Sequence, residues 1–170
     1  GGTITVKMGT DKDANIIAAE TSIKLEAGGF PGAAVGAAVQ CIFAPYDIPN
    51  TRIDGYDIVV NKPKSAAYRA PGSPQAAFAA ETVSDELARI HNMDPIDFRL
   101  QNASKEDTRR ADGVVFPKIG NVEVLEAAKA SDHWKSDLGT PPKGRVRGRG
   151  VASGYWFNVG LKSAVSLTVN

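Results

Sequence analysis

The reading of this chain turns on Ser65-Ala-Ala-Tyr-Arg-Ala-Pro-Gly-Ser-Pro-Gln-Ala76. A strand-like run marked by Tyr56, Ile58 and Val60 leads into it through Asn61-Lys-Pro63, and a helical pattern leaves it. Pro71 fixes its own φ and pushes Ala70 out of the helical region, while Gly72 permits a turn that other residues resist. Ser73 fits an N-cap and Pro74 the first helical position. The expected product is a tight corner whose free backbone N–H groups and one guanidinium, Arg69, point the same way. Such a corner suits an anionic or oxygen-rich ligand. The same residues also fit an ordinary strand-to-helix turn with a solvated arginine.

Outward from this corner the pattern is clear. From Pro74 to His91, Ala76, Ala79, Ala80, Val83, Leu87 and Ile90 recur at three- and four-residue steps, and Glu81, Asp85 and Arg89 take the opposite, solvated face. His91 follows that helix, where it suits the negative C-terminal end. Asp94 caps a second helix with Pro95 at its first position, and Asn121 caps a third. Upstream, Ile4, Val6 and Met8 alternate with polar residues, and Thr21, Ile23 and Leu25 do the same, so that two strands are expected to form an antiparallel hairpin. Residues 33–43 read as a close-packed helix of Ala, Val and Gly. Residues 103–119 read as a surface excursion, 139–150 as a loop, and Val151–Phe157 and Leu161–Val169 as closing strands.

Composition bounds the function. The 170 residues fit one domain, able to bury roughly 70% of the surface of its unfolded form. Lys and Arg number 20 against 19 Asp and Glu, so bulk charge favours no polyanionic partner. No apolar run approaches the roughly 20 residues of a membrane span. Cys41 is the only cysteine, which excludes an internal disulfide and a cysteine-ligated iron–sulfur cluster in this chain, and accords with a reduced, cytoplasmic setting. A strand pattern is already running at Thr3 and still running at Asn170, so the expectation is a piece of a longer polypeptide, truncated at both ends.

Three further features invite chemistry. His91 and His133 stand 42 residues apart with no carboxylate or cysteine at ligand spacing, which argues against zinc. Asp85-Glu86 reads as a solvated charge run. Lys143-Gly-Arg-Val-Arg-Gly-Arg149 resembles arginine–glycine RNA-binding tracts, but it lacks interleaved aromatics and enters a strand directly, so no nucleic-acid partner is expected.

The order Tyr68-Arg69-x-x-Gly72-x-Pro74-Gln75, Phe78, Glu81, Asp85-Glu86-Leu87-Ala88, Asp94-Pro95, Phe98-Arg99, Asn102 resembles the molybdopterin-binding large subunit of the xanthine dehydrogenase and aldehyde oxidase family. That group also contains carbon-monoxide dehydrogenase and many bacterial hydroxylases. Tyr46-Asp-Ile-Pro-Asn50 and Arg149-Gly150 resemble further landmarks of it. The resemblance covers nearly the whole chain.

The resemblance implies an α+β fold, with mixed or antiparallel strands packed with three to four helices, as part of a molybdopterin-binding domain spanning residues 1–170. It implies an oxidoreductase that hydroxylates a carbon of an aldehyde or N-heterocycle with water. Arg69 and Ala70 would face the cofactor, and Tyr68, Pro71 and Phe157 the substrate; the competing reading of Arg69 is a structural ion pair, and of Trp156 and Phe157 ordinary core aromatics. Ala70 stands where carbon-monoxide dehydrogenases carry a copper-binding cysteine, which argues against a copper–molybdenum site. Pro71 and Ala37 replace, respectively, an aromatic and an arginine of the xanthine enzymes, which argues against xanthine.

By the same resemblance the catalytic glutamate lies beyond Asn170, and no catalytic residue or metal ligand falls in this chain. The partners implied are the rest of the subunit, iron–sulfur and FAD domains or subunits, and a small-molecule substrate. The chain alone is expected neither to hold molybdopterin tightly nor to turn over. An inert structural or interaction module on the same scaffold is the alternative.

Overall fold

The computed structural model describes residues 1–157, 164–166 and 168. Two strands open the chain, β1 (Gly2–Thr10) and β2 (Ile16–Gly28), paired antiparallel with Ile4 opposite Ile23 and Val6 opposite Thr21. Between them Asp11 builds the turn, its Oδ1 accepting from the N–H groups of Asp13 and Asn15 at 2.9 Å each. The alternation works as expected of a sheet with one covered face: Ile16, Ala19, Thr21 and Ile23 are buried, while Lys7, Glu20 and Lys24 are exposed.

A short helix, α1 (Val35–Cys41), then carries the chain to β3 (Thr51–Val59), which pairs with β2 in parallel, Ile23 opposite Gly55. A parallel neighbour needs such a crossover. Gly55 is the point of closest approach: a Cβ there would lie 2.7 Å from Val39 Cγ1 and 2.9 Å from Val35 Cγ2. The sheet order is β1-β2-β3.

The long helix α2 (Ser73–Ile90) packs on β1, α1 and the next helix, α3 (Pro95–Gln101). Two more helices follow, α4 (Asn121–Ala130) and the single turn α5 (Asp132–Lys135). The fold is α+β with a mixed sheet and five helices among the described residues. Ile16, Ile23, Ile42, Phe43, Ala76, Ala80, Leu87 and Phe98 form the main core, and Ile96, Ala103 and Leu125 a second cluster under α4. Asn102 joins α3 to the hairpin: its Oδ1 accepts from the Ile16 N–H at 2.7 Å and its Nδ2 donates to Ala14 O at 3.0 Å.

Several local expectations need correction. The buried stripe of α2 runs through Ser73, Ala76, Ala80, Glu81, Ser84, Leu87 and Ala88, rotated by roughly 80° from the expected apolar face at 100° per residue. Glu81 is therefore inside, and Ile90 is 75% exposed. The cause is α3, which docks on the Glu81 flank and needs small residues and a carboxylate there. The N-cap of α2 is Gly72, not Ser73, whose hydroxyl is engaged elsewhere. Asn121 is likewise inside its helix, donating from Nδ2 to Pro45 O and Ser104 O at 3.1 Å each rather than capping. Asp94 does cap α3, accepting from the Ile96 N–H at 2.8 Å. Residues 151–157 form no strand, because they lie along helices and not beside a sheet edge; the expected strand 161–169 falls largely outside the described residues.

Phe98 is fully buried between α2 and the hairpin. Phe98→Ala is expected to lower unfolding free energy by about 3–5 kcal/mol, measured by urea denaturation.

Candidate functional site

After β3 the chain doubles back over the end of β2. The Val60 N–H donates to Gly28 O at 3.0 Å, and the Ser65 N–H and hydroxyl both reach Ala27 O, at 2.9 and 3.1 Å. Gly28 has φ +88°, and a Cβ there would lie 2.4 Å from Pro63 O, so a side chain has no room at this crossing. Beyond Ser65 the backbone arches outward. Arg69 (φ 35°), Ala70 (φ 51°) and Gly72 (φ 92°) all take left-handed conformations. For the two residues that carry a Cβ this costs about 1–3 kcal/mol each.

What holds the strain is packing from α1. A Cβ on Gly72 would lie 2.4 Å from Ala34 O and 2.9 Å from Ala38 N. The loop is then tied to α2: the Gly72 N–H donates to Gln75 Oε1 at 3.1 Å, and the Ser73 N–H closes a turn onto Ala70 O at 3.1 Å.

The arch forms one wall of an open cleft of about 670 Å³, with Leu25, Glu26, Gly32 and Ala34 opposite. Tyr68, Arg69 and Pro71 line it, whereas Ala70 lies half-buried just outside the lining. Ala37 sits on α1, half-buried. Lys62 Nζ pairs with Glu26 at 2.7 Å and holds that carboxyl below its ordinary value. Lys64 has no such partner. Its ammonium nitrogen is shielded from water, lies 5.5 Å from the centre of the Phe30 ring and abuts Gly32, yet meets no hydrogen-bond acceptor among the described residues. An orphaned cation behind a cleft wall is what an anionic ligand would complete.

A second assembly lies along α2. Glu81, 5% exposed, accepts from Arg99 Nε at 2.8 Å, from the Tyr46 hydroxyl and from the Ser153 N–H at 2.5 Å. Asp85 Oδ1 stands 2.8 Å from Arg99 Nη2, an ion pair by distance whose angles fall short of a hydrogen bond. Burial, with the Glu81 charge beside it, pushes the Tyr46 phenol well above its ordinary value. Burial opposes the Arg99 charge, but the Tyr46 and Glu81 oxygens outweigh it and the guanidinium is held protonated more firmly still. The solvated face expected there is corrected for Glu81 alone: Asp85, with 43% of its side chain exposed, pairs with Arg99 from the solvent side, and Glu86 and Arg89 are exposed.

Ser73 Oγ donates to Tyr155 O at 2.6 Å, and Trp156 stacks on the half-buried Phe157 with centroids 4.3 Å apart. Phe157 does not line the cleft. His91 closes α2, its Nε2 2.7 Å from Thr10 Oγ1. In the basic run, Arg147 donates to Leu138 O at 2.8 Å and Arg149 to Trp134 O at 2.5 Å, so two of its four cations are engaged in the loop. Among the described residues no group of His, Cys, Asp and Glu could hold a metal ion, and no helix is long and apolar enough to cross a membrane.

The scaffold is a mixed α+β domain, and comparison with known proteins gives it a family. The molybdopterin cofactor-binding domain matches residues 2–103, and the chain belongs to that family. It is 34% identical over 132 residues to the nicotinate dehydrogenase large molybdopterin subunit of Eubacterium barkeri, covering 75% of this chain and 31% of that protein. It is 31% identical over 168 residues to the aldehyde oxidoreductase molybdenum-binding subunit PaoC of Escherichia coli O157:H7, covering 93% of this chain and 22% of the relative. The aldehyde oxidoreductase structure from Desulfovibrio gigas superposes with a TM-score of 0.67 at 26% identity, over 74% of this chain and 14% of that one. The chain therefore spans less than a third of the length of these relatives.

The residues present fit molybdopterin. The group's organic part is anionic and rich in oxygen and nitrogen, and Arg69 lines the cleft, while the Lys64 ammonium, outside the lining, lies against Gly32 of its wall and meets no hydrogen-bond acceptor among the described residues.

Sequence reading missed Lys64 and the Glu81 assembly. A signal for the second was present: Tyr46, Glu81 and Arg99 were each a landmark of the family pattern, and the fold brings all three together.

Stability is expected to fall as pH rises above about 10, the ordinary tyrosine value, because Tyr46 ionises in the unfolded chain while the folded phenol keeps its proton. Tyr46→Phe removes this component, up to about 1.4 kcal/mol per pH unit, seen as a flatter dependence of the urea midpoint on alkaline pH.

Proposed function

We propose that the chain is part of a molybdenum hydroxylase subunit and supplies the arginine loop of its cofactor seat. The observation that carries this is the left-handed pair Arg69–Ala70, held under strain at the rim of a cleft, with the Lys64 ammonium behind Gly32 of its wall meeting no hydrogen-bond acceptor among the described residues. Strain of this kind persists where surrounding packing over-determines it, and it clusters at ligand sites.

When bound, the molybdenum group supplies the redox chemistry by which a substrate C–H and water become C–OH, releasing two protons and two electrons. The work of this chain is to bind and orient. Arg69 offers a planar fork of donors to oxygen acceptors of cofactor or substrate. Lys64 adds a point charge behind it. Tyr68 and Pro71 border the opening and limit its shape, and Phe157, which lies outside this lining, would face the substrate with Trp156 only on the side that the rest of the subunit completes. Ala70 brings no ligand atom, so the reading includes no copper. Proline at 71 gives no aromatic face for stacking a purine, which favours an aldehyde or a different heterocycle.

The names of the relatives, an aldehyde oxidoreductase and a nicotinate dehydrogenase, support those two substrate classes. Electrons would leave to iron–sulfur and flavin groups on other domains or subunits, and the lone buried thiol of Cys41 suits the cytoplasm. The remainder of the subunit would complete the seat and provide the general base.

In the full-length parent, Arg69→Ala is expected to lower kcat/KM for benzaldehyde or nicotinate, with a dye as acceptor, by about 100-fold or more, with the thermal midpoint unchanged. Undiminished turnover would favour an inert role for the loop. Lys64→Met is expected to reduce molybdenum content per subunit, by elemental analysis, while leaving thermal stability equal or higher, since it removes a shielded charge with no partner.

A further inference from the structure

The residue that follows the arginine loop ties a second segment to it. Ser73 is 8% exposed and is the first residue of α2. Its N–H closes the loop onto Ala70 O at 3.1 Å, while its hydroxyl donates to the Tyr155 carbonyl at 2.6 Å. Two turns along the helix, Glu81 Oε2 accepts from the Ser153 N–H at 2.5 Å. Ser153 at Glu81 and Tyr155 at Ser73 mean that this segment runs antiparallel to α2, toward the helix N-terminus. Trp156 and Phe157 follow directly on the Tyr155 carbonyl that Ser73 holds, and Ser73 is the residue whose N–H closes the turn onto Ala70.

The ties differ in what they connect. Arg110 Nη1 donates to the Tyr155 hydroxyl at 2.5 Å, and the Tyr155 ring meets Phe116 edge-on at 5.6 Å. These contacts fix Tyr155 to the excursion 103–119. Glu81 fixes Ser153 to the middle of α2. Among the described residues, Ser73 carries the hydrogen bond that connects the segment to the strained turn, since its own N–H closes that turn. Trp156 is 44% exposed beyond that tie.

We propose that Ser73 is a positioning residue: through the Tyr155 carbonyl it sets where the Trp156–Phe157 stack stands relative to the Arg69 loop, and so the width of the substrate opening between them. The proposal rests on the reading of Arg69 and Phe157 given above. A change at Ser73 moves the wall without removing any group that touches cofactor or substrate, so its signature is a displaced aromatic pair and weakened substrate binding.

The test uses the full-length holoenzyme labelled with 5-fluorotryptophan, the Trp156 resonance being assigned by its loss in Trp156→Phe. Ser73→Ala is expected to shift and narrow that resonance while molybdenum content stays that of the wild type, and Ser73→Thr, which keeps the hydroxyl, to restore it. With benzaldehyde as the probe substrate, KM in Ser73→Ala is expected to rise three- to tenfold, more than kcat falls. If alanine prevents folding, Ser73→Gly, which also lacks the hydroxyl, carries the same comparison. A Trp156 resonance unmoved in a folded Ser73 variant, or one that threonine fails to restore, overturns the proposal. Failure of the site reading is a separate result, an Arg69→Ala enzyme with undiminished turnover, because the fluorine signal does not depend on catalysis.

Discussion

The ion pair of Glu81 with Arg99 is the contact on which the rest of the architecture hangs. Both side chains are buried, and each is more than a partner for the other: Glu81 also takes the Tyr46 hydroxyl and the Ser153 N–H, and Arg99 donates to Pro95 O at 2.9 Å. Four stretches of chain, around residues 46, 81, 99 and 153, therefore meet at one carboxylate. Loss of either charge would leave the other uncompensated inside the protein, at a cost of about 3–5 kcal/mol. Replacing both by apolar groups of equal volume would cost far less in stability, but would leave the Ser153 N–H without its acceptor. The pair is better understood as a device for placing backbone than as a source of stability.

Placement matters because the candidate site is made of backbone under strain. Arg69 and Ala70 have no local reason to adopt positive φ; the turn is held by Gly72 wedged against the start of α1, by Gln75, and by the first turn of α2. Those elements are in turn positioned by the sheet and by α3. The energy of burying Ile23, Ile42, Phe43 and Phe98 is thus partly spent on keeping a guanidinium and a shielded ammonium where solvent alone would not keep them. This is the usual relation between a core and a site, with the loop carrying the chemistry and the scaffold its geometry.

Much of the fold was legible in the residues. Period-two alternation gave the β1–β2 hairpin and its buried face, Asp94-Pro95 gave the start of α3, and the punctuation around Pro71-Gly72 gave the loop and the helix after it. The errors share a cause. An alanine-rich helix has little amphipathic contrast, so the apolar residues alone did not reveal that α2 is turned toward Glu81 and Ser84. Short polar residues at helix starts, Ser73 and Asn121, looked like caps because capping is their commonest local role, yet both reach instead to carbonyls far along the chain. The 151–157 run alternates like a strand, but the groups that pair with it belong to α2 and not to a sheet edge.

By itself the sequence determined the class of structure, the location of the arginine loop and the family, since local φ preferences, helix and strand periods and the order of landmark residues are all carried within short windows. Only the tertiary structure decided which charges are inside, that Lys64 Nζ meets no hydrogen-bond acceptor among the described residues, and that Ser73 joins the loop to the Tyr155 carbonyl. Those outcomes depend on contacts between residues from 18 to more than 80 positions apart, and desolvation, which gives them their energy, exists only once the surrounding surfaces have closed.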